Sequence, residues 1–124
     1  MIKKIKKPNI NFKFILPNNG KFYYDEENKE YFIETNDKSK FYFNLNGSFH
    51  RIGKPAINYF NEKKMWIENG RYNRLDGPAL INHQYSYIEF WIKENKLSQK
   101  QFANLTNHLT CNICKKFCKQ ECFI

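Results

Sequence analysis

The sequence predicts a mainly β protein: an antiparallel sheet of β-hairpin repeats closed by a C-terminal helical cap. Three observations predict it. First, Phe43-Asn-Leu-Asn-Gly47-Ser-Phe-His50-Arg51-Ile-Gly-Lys-Pro55-Ala56 is nearly restated as Trp66-Ile-Glu-Asn-Gly70-Arg-Tyr-Asn73-Arg74-Leu-Asp-Gly-Pro78-Ala79, offset by 23 residues without a gap. A period of this length marks a repeat architecture. Second, Asn46-Gly47 and Asn69-Gly70 are the strongest short hairpin-turn signal, because both central residues of a type I′ turn need positive φ. Third, the apolar period changes after Leu97 from that of a strand to that of a helix.

The elements follow in order. Lys3, Lys4, Lys6 and Lys7 make residues 1–9 a basic N-terminal arm, expected to be frayed and solvated. Residues 10–97 form the β-repeat domain. Ile10-Asn-Phe12-Lys-Phe14 alternates apolar and polar and reads as a half-buried strand. Pro17-Asn-Asn-Gly20 is a turn, with Gly20 suited to positive φ. Lys21–Tyr24 and Glu30–Glu34 are strands, with polar loops after each. Lys40–Asn44 and Lys64–Glu68 open the two hairpins. Gly53-Lys-Pro55 and Asp76-Gly-Pro78 make corners, since proline cannot donate within a ladder. Ala56–Phe60 and Ala79–Asn82 are the strands that follow. A third copy starts at Trp91-Ile-Lys-Glu-Asn95-Lys-Leu97 and breaks off. Residues 98–124 are a C-terminal helical segment. Ser98 and Gln101 are spaced as a capping box, Leu97 and Phe102 as a hydrophobic staple, and Phe102, Leu105 and Leu109 share a face. A helix here caps the exposed end of a repeat sheet.

The formal net charge is +9 and aromatic residues make up 18% of the chain. Aromatic side chains supply core area that the 41% hydrophobic content would otherwise lack. The positive balance fits an anionic partner. The wealth of Lys, Asn, Ile, Phe and Tyr also fits AT-rich codon usage with no such partner. No stretch reaches the ~18 apolar residues of a membrane span. Nor does an apolar run follow the basic start as in a signal peptide. The expected setting is cytoplasmic and reducing, so the four Cys are not presumed to be disulfides.

The unit Trp66 to Ala79 resembles a short repeat of giant amoebal DNA viruses and some phages, W-x3-N-G-x2-H-R-x-D-G-P-A, which is similar to the MORN repeats. Phe43 to Ala56 matches it with Phe for Trp and Gly53-Lys54 for Asp-Gly, and Trp91 to Phe102 resembles the family's closing element. The match covers about half of the chain. It implies a ladder of β-hairpins and a role in scaffolding or membrane association. If the protein is viral, the resemblance places it in the host cytoplasm or the virion.

Several residues are candidates for chemistry. Arg51 and Arg74 hold equivalent places. Either they bind phosphate or carboxylate, or each stacks on an aromatic and ties down its corner, with Asp76 partnering Arg74. Trp66 and Trp91 are core residues or a platform for stacking bases. Cys111, Cys114, Cys118 and Cys122 allow two exclusive structures. A compact zinc site would be flanked by Lys115, Lys116 and Lys119 for nucleic acid. In a helix the same spacing makes one stripe, and Cys111 and Cys122 lie about 16 Å apart, too far to share a metal. Disulfides or lipidation are the remaining fates of these thiols. No cofactor is expected from the sequence; zinc at the Cys cluster is the one it would admit. Gly47 to Lys54 fails as a phosphate loop, because five residues separate the glycines and Pro55 stands where Ser or Thr belongs. No catalytic set emerges; His108 and Cys111 lack an orienting third group. The expected function is a non-enzymatic module binding an unknown protein partner or an anionic membrane surface. The alternative is a small basic nucleic-acid-binding protein with a C-terminal zinc cluster.

Overall fold

The computed structural model describes residues 1–60 and 62–106. Its strands are β1 Ile2–Ile5, β2 Lys21–Asp25, β3 Glu30–Glu34, β4 Lys40–Phe43, β5 Ile57–Asn58, β6 Lys63–Met65, β7 Ile67–Glu68, β8 Arg71–Tyr72, β9 Leu80–Asn82, β10 Tyr87–Ile92 and β11 Asn95–Leu97, followed by helix α1 Gln99–Thr106. Nine strands form one antiparallel sheet in the order β1-β2-β3-β4-β5-β6-β9-β10-β11, and β7 and β8 form a separate hairpin. The protein is mainly β with one short C-terminal helix among the described residues, as the sequence predicts.

The basic arm is not frayed. Ile2 to Ile5 pair with Asp25 to Phe22. This strand has no alternating pattern to announce it. Its partner supplies the ladder, and Lys3 meets Glu26 at 3.0 Å. The reverse correction applies to Ile10–Phe14, which alternates as expected but forms no strand. It bends across the core instead and packs Ile10, Phe12 and Phe14 on Phe32, Ile33, Phe41, Tyr42, Phe43, Ala56, Ile57 and Ile67. Its tie is the Lys13 N–H to the Gly47 carbonyl, 2.8 Å. In the Pro17–Gly20 turn Asn19, not Gly20, takes the positive φ, at 60°. Gly20 is needed for space: a Cβ there would sit 2.5 Å from Ile33 Cγ2.

A second, smaller core gathers Trp66, Ala79 and Ile81, with Tyr72, Ile88 and Trp91 against them. Helix α1 closes the end of the sheet beside β10 and β11. Its capping box forms: the Gln101 N–H donates to Ser98 Oγ at 3.1 Å, and the Ser98 N–H donates to Gln101 Oε1 at 2.8 Å. Phe102 is buried with its ring 4.6 Å from that of Phe90. Leu105 departs from the expected face and is 67% exposed; Ala103 is buried instead. Leu109 lies outside the described residues.

Candidate interaction surface

Each corner is built around its arginine. The Arg74 guanidinium lies over the Trp66 ring, Cζ 3.8 Å from the centroid. Its Nε donates to Asp76 Oδ1 at 2.8 Å and its Nη1 to the Pro78 carbonyl at 3.0 Å. Arg51 lies over Tyr42 at 3.7 Å. Its Nη1 donates to the Pro55 carbonyl at 3.4 Å, but its Nε donates to Glu30 Oε2, 3.0 Å away on β3. The partner moves because Gly53 stands where the second copy has Asp76. Both guanidinium groups are thus engaged within the fold, stacked on π faces that favour a cation.

These contacts correct the gapless alignment of the copies. The Tyr42 N–H donates to the Ala56 carbonyl, and the Trp66 N–H donates to the Ala79 carbonyl. The Tyr42 carbonyl accepts from His50 as the Trp66 carbonyl accepts from Asn73. Tyr42, not Phe43, is therefore the counterpart of Trp66. The extra residue is absorbed in the first hairpin, whose loop is Leu45-Asn46-Gly47. There the Gly47 N–H bonds to the Asn44 carbonyl at 3.0 Å and Gly47 takes φ 84°. That is a type I turn followed by a left-handed residue, not the expected two-residue turn. The second hairpin does turn on two residues, Asn69 at φ 51° and Gly70 at φ 80°. In the third copy the turn falls on Lys93 and Glu94, at φ 45° and 73°. The Ala79 N–H bonds to the Glu89 carbonyl as the Ala56 N–H bonds to that of Met65. Phe90, not Trp91, thus matches Trp66.

Sequence reasoning missed the link between hairpins. The Asn69 N–H donates to His50 Nδ1 at 3.0 Å, and the Lys93 N–H donates to Asn73 Oδ1 at 3.1 Å. His50 and Asn73 occupy one repeat position, and each accepts a bond from the turn of the next hairpin. The signal was legible: both residues offer an acceptor at the same offset. The return arms add backbone bonds, from the Arg51 N–H to the Ile67 carbonyl and from the Arg74 N–H to the Trp91 carbonyl.

The tryptophans separate. Trp66 is buried under Arg74. Trp91 is half-buried, stacks near Tyr72 with centroids 5.3 Å apart, and donates its indole N–H to Glu89 Oε1 at 2.7 Å. Burial pushes the Glu89 carboxyl up, but hydrogen bonds from Tyr87 and Trp91 and the Lys96 ammonium outweigh it and hold it below the usual range. Burial raises the Tyr42 and Tyr72 phenols above theirs.

What the corners leave outside is apolar. Ile52 and Leu75 each follow a corner arginine and are 71% and 57% exposed. Leu45 is exposed at the tip of the first hairpin and lines, with Ile52, Tyr31, Lys29 and Lys54, a cleft of about 540 Å³. Cys111, Cys114, Cys118, Cys122, Lys115, Lys116 and Lys119 lie outside the described residues. Among the described residues no group of three or more His, Cys, Asp or Glu is placed to hold a metal, and no helix is long and apolar enough to cross a membrane. No protein-family model, curated protein or solved structure matches the chain.

Proposed function

We propose that the chain is a non-enzymatic repeat protein that binds an acidic protein partner along the outer edge of its corners. The observation that carries this reading is the division of labour at each corner. The polar residues of the motif are spent inside the fold: Arg on its aromatic and acid, His50 or Asn73 on the next hairpin. The aliphatic residue beside each arginine is left in solvent, at a repeated position. Repeated exposed aliphatics, with Lys29 and Lys54 beside Ile52, suit a partner surface that is apolar with an acidic rim. The viral-repeat resemblance supports the same reading, since repeats of that kind imply scaffolding, in a host cytoplasm or virion.

The test is quantitative partner identification with the wild type and with I52D/L75D. Partners enriched by the wild type and lost with the variant, at unchanged melting temperature, support the reading. Equal enrichment removes it. The competing reading, nucleic acid bound by the basic arm and the Cys cluster, predicts affinity that falls steeply with salt and is indifferent to I52D/L75D.

A further inference from the structure

Away from the corners, the strand ladder collects cations. Lys40, Asn58 and Lys64 are direct cross-strand partners on β4, β5 and β6. Lys64 is half-buried, and a carboxylate within ion-pairing distance of Lys38 or Lys64 is absent among the described residues. Lys38, Asn58, Lys64 and His83 line one cleft of about 490 Å³ together with Phe60, which is 58% exposed. Glu62 is the one acid lining it among the described residues. Lys40 has Glu34 as a cross-strand partner and lies over the Phe32 ring, whereas Lys38 and Lys64 share the cleft with Glu62 but pair with no acid among the described residues. A lysine whose stem is covered holds its ammonium in a restricted place at the cleft, positioned for an anion.

We propose that this cleft is a nucleotide site. Lys38 and Lys64 meet the phosphate as point charges, while the Asn58 amide and the His83 ring offer directional hydrogen bonds to phosphate or sugar. The Phe60 ring offers a face on which a base stacks, an interaction open to any base. The chemistry is that of a nucleoside phosphate, free or within a single strand. Phosphate alone would use the lysines but leave Phe60 idle.

The experiment uses the full chain, a labelled ten-residue oligothymidylate followed by fluorescence anisotropy, and AMP and inorganic phosphate by titration calorimetry. Three variants are compared: K38E/K64E, F60A, and K6E/K7E, which changes net charge equally but lies in the exposed N-terminal segment. Circular dichroism melts confirm that each is folded. The cleft predicts at least a tenfold loss of affinity in K38E/K64E. Its salt slope falls by about 1.4 if two single-strand phosphate contacts are removed. F60A weakens binding several-fold with the slope unchanged, and K6E/K7E stays within about twofold of wild type. Binding of AMP identifies a free nucleotide as a ligand; binding of the oligonucleotide without AMP identifies the strand. Equal losses in K38E/K64E and K6E/K7E would show attraction to net charge and overturn the proposal. So would phosphate binding as tightly as AMP, or absence of binding to every probe at low salt.

Discussion

The two complete repeats build the same corner and the same hairpin with different means, and the differences show which parts of the motif matter. In the second repeat the acid at the corner is local: Asp76 sits two residues from Arg74, and the hairpin turns on Asn69-Gly70 with only the Ser48 side chain near Gly70, at 3.6 Å. In the first repeat the acid and the neighbour of the hairpin glycine are both distant in sequence. Glu30 reaches Arg51 from β3, and Gly47 is pressed against the chain at Asn11. The local acid Asp76 is exposed and cheap to lose. Glu30 is shielded, and the bond from Lys13 to Gly47 holds the N-terminal segment to the first hairpin.

The hairpin glycines give the largest contrast. A Cβ on Gly47 would lie 2.0 Å from the Asn11 carbonyl oxygen, a backbone atom that cannot swing aside. Gly47→Ala is expected to cost about 3 kcal/mol or more in urea denaturation, from clash and positive φ together. Gly70→Ala meets only the φ penalty and is expected to cost about 1 kcal/mol.

The acids come next. Glu30 has a side chain 22% exposed, and its Oε1 is buried without a hydrogen-bond partner, whereas Asp76 is 80% exposed. Glu30→Ala strands a shielded guanidinium and is expected to cost roughly 2 kcal/mol. Asp76→Ala is expected to cost under about 0.5 kcal/mol, as exposed pairs do. Double-mutant cycles with Arg51 and Arg74 sharpen the contrast: the first pair should couple strongly and the second hardly at all.

A smaller effect separates the third copy. Glu89 stands where the earlier copies have Phe41 and Met65, and its folded pKa is depressed. Its stabilisation is therefore full above the unfolded value, ordinarily about 4.3, and is lost as pH falls through the lower folded value. Acid melts of the wild type should steepen in that window, and Glu89→Gln should remove this component. The smallest effect is a swap. His50→Asn supplies the acceptor that Asn73 already uses, so stability is expected to hold within about 0.5 kcal/mol, against about 1 kcal/mol for His50→Ala.

The β class, the Gly-Pro corners, the second hairpin and the helix cap were legible because each rests on local chemistry: a turn dipeptide, a missing N–H, a reciprocal cap. The Arg74–Asp76 corner was legible for the same reason. What was hidden depends on distant chain. The register slip escaped because the offset of 23 holds from Gly47 to Ala56, and Phe43 mimics a displaced tryptophan beside Tyr42. Glu30 as the partner of Arg51 is 21 residues away, with no spacing rule to reveal it. β1 is made a strand by its neighbour, and Ile10–Phe14 is denied one because the cover over a core needs no ladder.

The central claim is that the motif arginines build the corners while the aliphatics beside them face outward for use. Thermal melts of Arg74→Ala and Leu75→Asp test it directly on adjacent residues. Arg74→Ala is expected to lower the melting temperature by roughly 5–10 °C, because it uncovers Trp66 and removes the bond to Pro78. Leu75→Asp is expected to leave it within about 2 °C. An unchanged melt for Arg74→Ala together with a collapsed one for Leu75→Asp would contradict the account.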